Sequence, residues 1–493
     1  GSASRSRCPG HLAPPRRAAY ESLLKSKRKQ IHSILVAALE DSKSAAPELL
    51  AYHADRAEQY DKAIDYWEQA GNAAIARPAY REAIGHLGSA IQLTRKMGAT
   101  REWQERELKL QIALGQAMIA TYGYGAQPTV DTFQRALGLV EVLGDTPLRM
   151  PALFGEWVAT YVRGADFSIH VQRFARLADE SGDQALLTVS HRLLGLDCLH
   201  KGKFADSLAL IEKSLELYGT KKPASLLRDF GHDQRVAALN YKCWALWHLG
   251  YPEQARLVGE ESASWAEELN HANTIGLARC WGINLANVLQ RDTATVAREA
   301  EKLIRFSEEM AMPLWVAWSR VFLGWSEVIG NGDTAGLSSI EAGLEQARNI
   351  GAALLMPLLQ CLAAESYAQA GQREAAEKAI NAAYAAMDSS GDVAWRVQLH
   401  IVSAKIALMA RPQQIARAEE QYLQGINTAR EQKAKMLELR AATGLAKLWA
   451  EGDRVEEAQR MVAALYDEFT EGHDSVDLQA AHLFLKAPVT AQS

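Results

Sequence analysis

The chain has 493 residues, 48% of them hydrophobic and 23% charged, and a formal net charge of -5. That apolar content excludes a pervasively disordered chain, and the slightly acidic balance gives no overall pull toward nucleic acid or anionic lipid. Five widely spaced cysteines (Cys8, Cys198, Cys243, Cys280 and Cys361) fit reduced thiols better than a disulfide framework, and no stretch approaches twenty uninterrupted apolar residues.

Taken in chain order, residues 1–17, "GSASRSRCPGHLAPPRR", read as a flexible or atypical leader without the apolar segment of a secretory signal. A cytoplasmic location is therefore expected, with no membrane partner. Gly1 and Ser2 stand where an initiating Met would, so the chain reads as a fragment. Residues 18–46 form a helical linker carrying the basic run "KSKRKQ" from Lys25. Clustered cations attract phosphate, but without aromatic interleaving or a recognition-helix pattern the plainer readings are a solvated helix face or docking to a partner. Nucleic acid is not an expected partner.

From about residue 47 helices arrive in pairs joined by short turns rich in Gly, Asn, Asp or Pro. "LGYPEQARLVGEESASWAEEL", "NGDTAGLSSIEAGLEQARNIG", "AGQREAAEKAINAAYAAM" and "EGDRVEEAQRMVAALYDEF" share this design. Their turn glycines, Gly250, Gly332, Gly371 and Gly452, fit units of roughly forty residues, with Arg291 and Arg411 in intervening positions where glycine is expected. The pattern places pairs at 47–76, 70–96, 102–143, 147–181, 183–219, 229–269, 271–309, 312–350, 353–389, 391–430 and 433–467, the first two overlapping. A capping helix near 475–485 and a tail complete residues 468–493. One such pair cannot bury its apolar surface alone, so a stacked α-solenoid over 47–467 is expected.

The stretches "ELLAYHADRAEQYDKAIDYWEQAGNAAIARPAYREAIGHLGSAI" from Glu48, "HDQRVAALNYKCWALWHLGYPEQA" from His232 and "AWSRVFLGWSEVIGNGDTAGLSSIEAGL" from Ala317 carry a resemblance. They resemble the tetratricopeptide, MalT-like repeat region of bacterial signalling ATPases and class III adenylate or guanylate cyclases. "AAYESLLKSKRKQIHSILVAALE" from Ala18 is similar to the end of the helical or winged-helix region that precedes those repeats. The resemblance implies an all-α, right-handed tetratricopeptide-type superhelix of antiparallel helix pairs. It also implies an attached or separate ATPase, cyclase or transcription-regulatory domain as the output.

No catalytic constellation accompanies the repeats. A P-loop needs G-x-x-x-x-G-K-S/T, which the sequence lacks, and "TYGYGAQPT" and "IGNGDTAG" read as helix-to-helix turns. Thirteen scattered histidines show no H-E-x-x-H, and there is no C-x-x-C, so neither a metal nor another cofactor is expected. His53 reads as capping or lining the first repeat, and Asp233 as an N-terminal helix cap. Cysteines inside apolar helical patterns read as buried thiols. The chain is therefore expected to be no enzyme.

A tetratricopeptide superhelix offers a concave groove lined by its first helices, suited to a peptide or protein partner. The candidate contact residues are Trp157, Tyr161, Asn240, Tyr241, Trp244, Trp281, Asn284, Trp318 and Arg320, because aromatics and Arg dominate interface affinity. The plainer reading of the aromatics is interhelix core. The expected function is a non-enzymatic interaction scaffold or sensor module of a bacterial signalling system. The alternative is a small-molecule effector-sensing repeat domain, which an enclosed pocket of Trp and polar residues would favour over an open groove.

Overall fold

The computed structural model describes residues 23–487 except 43, 78, 124, 145, 147 and 220–223, so the leader over 1–17 and Cys8 lie outside the described residues. All regular elements among the described residues are helical. Two compact units result, one formed by residues up to 121 with 131–152, the other by 122–130 with everything from 153 onward.

Helices α1 (Lys25–Ser42), α2 (Pro47–Arg56), α3 (Tyr60–Ala76), α4 (Tyr80–Lys96), α5 (Arg101–Tyr122) and α6 (Gln127–Leu143) open the chain. In α3 the buried residues Ala63, Ile64, Ala70, Gly71 and Ala74 recur at helical spacing, giving one apolar face that needs a partner on each side. Accordingly α3 packs against both α2 and α4, and the overlap of the first two expected pairs is one helix shared by two neighbours. Small aliphatic side chains, among them Val36, Ala54, Ile64, Leu87 and Ala90, make the core of this unit, with Tyr60, Tyr66, Trp67 and Trp103 packed partly buried at its edge.

The second unit continues as pairs. Its first helices are α7 (Arg149–Val162), α9 (Gln184–His200) and α12 (Gln234–Leu249), followed by α14, α16 (Pro313–Asn331), α18 (Met356–Gln369), α20 (Arg396–Leu408) and α22 (Lys435–Ala450). The helix α14 is continuous through Ala272–Leu277, a π-helical stretch Ala278–Leu285, and Ala286–Gln290. Their partners are α8 (Ser168–Ser181), α10 (Phe204–Tyr218), α13 (Pro252–Leu269), α15 (Thr293–Glu309), α17 (Gly336–Asn349), α19 (Arg373–Ser390), α21 (Ile415–Gln432) and α23 (Val455–Tyr466). A short helix, α11 (Ala224–Phe230), interrupts the alternation before α12, and α24 (Val476–Lys486) ends it.

First and second helices differ in how many faces they bury. In α15 only Val296, Ala300, Leu303 and Ser307 are buried, one stripe with charged residues elsewhere. In α12 nearly every residue from Gln234 to His248 is buried, as expected of a helix covered on all sides. Where α13 crosses α14 the backbones nearly touch: a Cβ on Gly259 would sit 2.1 Å from the Gly282 carbonyl oxygen, so only glycine fits.

Local capping explains the turns. The carboxylates of Asp183, Asp233 and Asp292 accept from the backbone N–H groups of Leu186, Val236 and Thr295 at 2.9, 3.0 and 3.0 Å. At the C-terminal end of α14, where glycine is expected, Arg291 adopts φ of 61°. That left-handed conformation is unusual for a side chain of this size. The structure gives it a reason: the Arg291 guanidinium reaches the buried Glu365 carboxylate at 3.0 Å and lies over Trp325.

Candidate functional site

Rings from four first helices meet inside the second unit. Trp157 and Tyr161, one helical turn apart on α7, stack at 5.2 Å between ring centroids, and Tyr161 stands edge-on to Trp281 of α14 at 6.4 Å. Tyr241 and Trp244 of α12 lie 5.7 and 5.3 Å from Trp281. Trp281 in turn stacks on Trp318 of α16 at 5.9 Å. The turn before α20 also contributes, because Trp395 approaches Trp244 to 6.4 Å. All seven of these side chains are almost completely buried, from Trp244 and Trp318 at 0% exposure to Trp281 at 4%.

The candidate residues therefore divide. Trp157, Tyr161, Tyr241, Trp244, Trp281 and Trp318 come together in one cluster. Asn284 shares the π-helical stretch of α14 with Trp281 and is fully buried. Asn240 faces the helix crossing instead: its amide donates to the Leu277 carbonyl at 3.4 Å and its oxygen accepts from Ser262 at 2.8 Å. Arg320 lies apart from the rings, donating to Gln346 of α17 at 2.9 Å and Glu308 of α15 at 3.1 Å.

Buried polar atoms with nothing to bond lie on the helices that carry these rings. Both side-chain atoms of Asn284 lack a hydrogen-bond partner, as do the indole N–H groups of Trp157, Trp281 and Trp318. An unsatisfied buried amide is costly, about 1–3 kcal/mol, so such a group calls for an explanation. Burial, followed by the nearby Tyr241 and Asp392, drives the Tyr161 phenol pKa well above its ordinary value and keeps it neutral. Its neighbours leave a crevice of about 10 Å³ beside His200 and Asp392, room for about one water molecule.

Charged residues complete the site, and the sequence pattern did not single them out. Arg192 on α9 is 0% exposed; its Nε donates to Gln234 at 2.8 Å and its guanidinium lies 5.5–5.9 Å from the rings of Trp157, Phe154 and Tyr241. Cation–π contact compensates part of its desolvation. His200 approaches the Asp392 carboxylate at 3.1 Å. Glu365 is buried between Arg291 and Lys405 and accepts from the Trp325 indole at 3.1 Å. Burial alone would raise the Glu365 pKa, but the two cations outweigh it and hold the carboxylate ionised. The available signal was a charged residue inside an apolar first helix, as in "HRLLGLDCLH".

Other expected features have plain structural roles. The capping carboxylate of Asp233 also accepts from the Tyr218 hydroxyl at 2.6 Å, while His53 faces His32 of α1 at 2.7 Å. Burial raises the thiol pKa of Cys198, Cys243, Cys280 and Cys361, Cys243 to about 12, so all four favour the unreactive thiol form. Among the described residues no group of three or more His, Cys, Asp or Glu could hold a metal ion, and no helix is long and apolar enough to cross a membrane.

Comparison with known proteins places the architecture. Residues 340–487 match the family described as Cohesin loading factor. An uncharacterized protein of Rhizobium meliloti (strain 1021) is 24% identical over 396 residues, covering 77% of this chain. The chain spans 38% of that relative's length. The Rap protein, solved in complex with Competence and Sporulation Factor, superposes with a TM-score of 0.52 at 7% identity, covering 77% of this chain and 98% of Rap. The Cut9-Hcn1 hetero-tetramer of APC/C aligns over 96% of this chain and 90% of that one, at 12% identity and a TM-score of 0.49. The fold is the all-α, tetratricopeptide-type superhelix of antiparallel helix pairs.

Proposed function

We propose that this chain is a non-catalytic sensor module of a larger bacterial signalling protein, recognising a small effector among the inward side chains of its second unit. The observation that carries this reading is Asn284: a fully buried amide, unpartnered on both atoms, in a π-helical stretch bearing Trp281. π-helical turns are frequent at functional sites, and a polar group that costs stability in the unliganded chain is repaid when a ligand satisfies it. Indole faces and indole N–H groups supply apolar contact with a few directed donors, the composition of a small-molecule site. The relative's greater length supports a further, output-bearing region, for which an ATPase, cyclase or transcription-regulatory domain is the proposed kind.

A second reading keeps the leading expectation, a peptide or protein partner in the concave groove. It draws on Rap, whose structure holds Competence and Sporulation Factor on a similar fold. The enclosed rings favour a small effector over an extended partner, which needs an open groove, but they must part to receive it, because the crevice beside Tyr161 holds about one water molecule.

Asn284→Leu separates these from a purely structural role. We expect the variant to melt at or above the wild-type temperature, because an unsatisfied amide is replaced by an apolar isostere. In a thermal-shift screen of metabolites and short peptides, at least one compound should stabilise the wild type and leave Asn284→Leu unmoved. If every stabilising compound acts equally on both proteins, the interior is not the recognition site.

A further inference from the structure

The chain from α7 to α14 is met again, some two hundred residues later, by the chain from α18 onward. The Val162 carbonyl, at the end of α7, accepts from the backbone N–H groups of Ala353 and Leu354 at 2.8 and 2.9 Å. Arg440 of α22 donates through Nη2 to the Leu289 carbonyl of α14 at 2.6 Å and through Nη1 to Gln398 of α20 at 3.0 Å. Its guanidinium also lies 5.1 Å from the Trp247 ring of α12. What holds Arg440 there is Asp477, near the start of α24, which accepts from Nε and Nη2 at 2.8 and 2.6 Å. Both side chains are at least nine-tenths buried.

The turn before α24 makes a second bridge. The Glu471 carboxylate accepts from the backbone N–H groups of Glu253 and Gln254 at 3.0 and 3.1 Å, capping α13 from a point 217 residues away, and also from the Gln254 side chain at 2.9 Å. Gly472 follows with φ of 67°, and a Cβ there would fall 2.2 Å from Pro252. The backbone has thus been brought into direct contact with the start of α13 where no other residue fits.

We propose that the segment from Glu471 through α24 is a clasp: by fixing Arg440 against Leu289 and Glu471 against the start of α13, it keeps the second unit closed over its aromatic interior. Its release is the step that admits the ligand. The inference rests on the sensor reading for what enters, but not for the opening itself. Two charge-assisted contacts, one buried and one at the surface, suit a reversible closure better than an apolar seam does, because each partner regains water on release. The pairing also reaches four other elements through one guanidinium, so its loss acts at α12, α14, α20 and α24 together.

The test uses the full chain with Asp477→Asn and, separately, Glu471→Gln, the second a surface change that leaves the buried pair intact. Acrylamide, a neutral quencher, reports tryptophan exposure, and hydrogen exchange read by mass spectrometry reports opening by segment. Asp477→Asn should raise exchange in the π-helical stretch 278–285 and at 350–355 by about a hundredfold, the scale of a broken buried ion pair, and Glu471→Gln by roughly tenfold or less. Acrylamide quenching should rise in the same order. Exchange in α15 and α17, which make none of these contacts, should stay at the wild-type rate.

A uniform rise across the whole unit would mean that the contact merely contributes to global stability, and the clasp would be overturned. Unchanged exchange in both variants would overturn it as well. Should Asp477→Asn lose its helical circular dichroism, Glu471→Gln decides by the same local-against-uniform criterion. Local opening with no change in the binding of a compound found in the Asn284 screen would leave the closure standing and overturn its release as the step that admits the ligand, whereas failure of the Asn284 screen itself would defeat the sensor reading and leave the closure untouched.

Discussion

The two units use one repeat design and fill it differently. In the first, small aliphatic side chains make the core, and its two tryptophans, Trp67 and Trp103, are only partly buried. In the second, ring stacks occupy the interior, and the remaining tryptophans include six of the largest fully buried side chains. The first unit keeps a charged groove of about 570 Å³ lined by Asp65, Glu68, Arg106 and Lys109, where Lys109 pairs with Glu68 at 2.6 Å and Arg106 with Asp65. The second has a polar groove of similar size, about 530 Å³, lined by Glu377, Tyr384, His400 and Gln421, whereas beside the rings at Tyr161 only a crevice of about 10 Å³ remains. Repeat period thus dictates that helices pair, while side-chain volume on the first helices dictates how tightly the ring-bearing stretch closes.

The largest effect should come from breaking the ring cluster. Trp244→Ala removes a fully buried indole whose N–H donates to the Trp281 carbonyl at 3.0 Å. It should cost about 3–5 kcal/mol, against about 1 kcal/mol for the partly buried Trp103→Ala. Urea denaturation followed by fluorescence and circular dichroism measures both, and equal costs would erase the distinction between the units.

Buried carboxylates offer a second contrast. Glu365→Gln strands Arg291, which is itself largely buried, and should cost roughly 3 kcal/mol. Glu107 in the first unit is as deeply buried, but its partners Arg95 and Arg135 are about half exposed and can return to water. Burial raises the Glu107 pKa, while hydrogen bonds and charge from the two arginines pull it back below the ordinary carboxylate value. Glu107→Gln should cost about half as much as Glu365→Gln, or about 1–2 kcal/mol by the same denaturation measurement.

Acid should weaken the second unit. Burial holds the pKa of His248 and His271 down at about 4. The unfolded histidines take up protons near 6.5, so between those values protonation favours the unfolded chain. Stability from these residues is complete above pH 6.5 and is lost as pH falls toward about 4, on the order of 2–3 kcal/mol for each. A melting-temperature profile should show the decline, and His248→Gln should flatten it. In the first unit His32 and His53, lowered by burial but not as far, should give a shallower slope.

The smallest effect should be common to both units. Arg77→Ala breaks an exposed pair with Glu82 and Arg305→Ala one with Glu301. Each should change stability by less than about 0.5 kcal/mol, because solvent screens the pair and ordering two long side chains offsets its attraction. A larger change at either site would place that surface in an interaction beyond the pair.

Much of the fold was legible. Turn glycines and capping aspartates such as Asp233 act locally, so paired helices could be placed within a few residues. The inward cluster was partly legible: Trp157, Tyr161, Tyr241, Trp244, Trp281 and Trp318 are all in it, because bulky rings on successive first helices have few other places to pack. Asn240 and Arg320 share those helices but point to other neighbours, a difference of helix rotation that spacing alone does not reveal. Arg192 was missed because its partners lie on the first helices before and after its own, and Asp392 and Arg440 because theirs include residues on distant repeats.

By itself, the sequence determined the helical class, the pairing and the turns, all of which depend on residues within about forty positions of one another. Only the tertiary structure decided that the second unit closes on itself. Closure depends on where α22 and α24 arrive relative to α12, α13 and α14, a position set by the sum of small rotations between successive pairs. That sum brings Arg440 to Leu289 and Glu471 to the start of α13. No local pattern encodes it, since each rotation follows from the packing of a whole helix face.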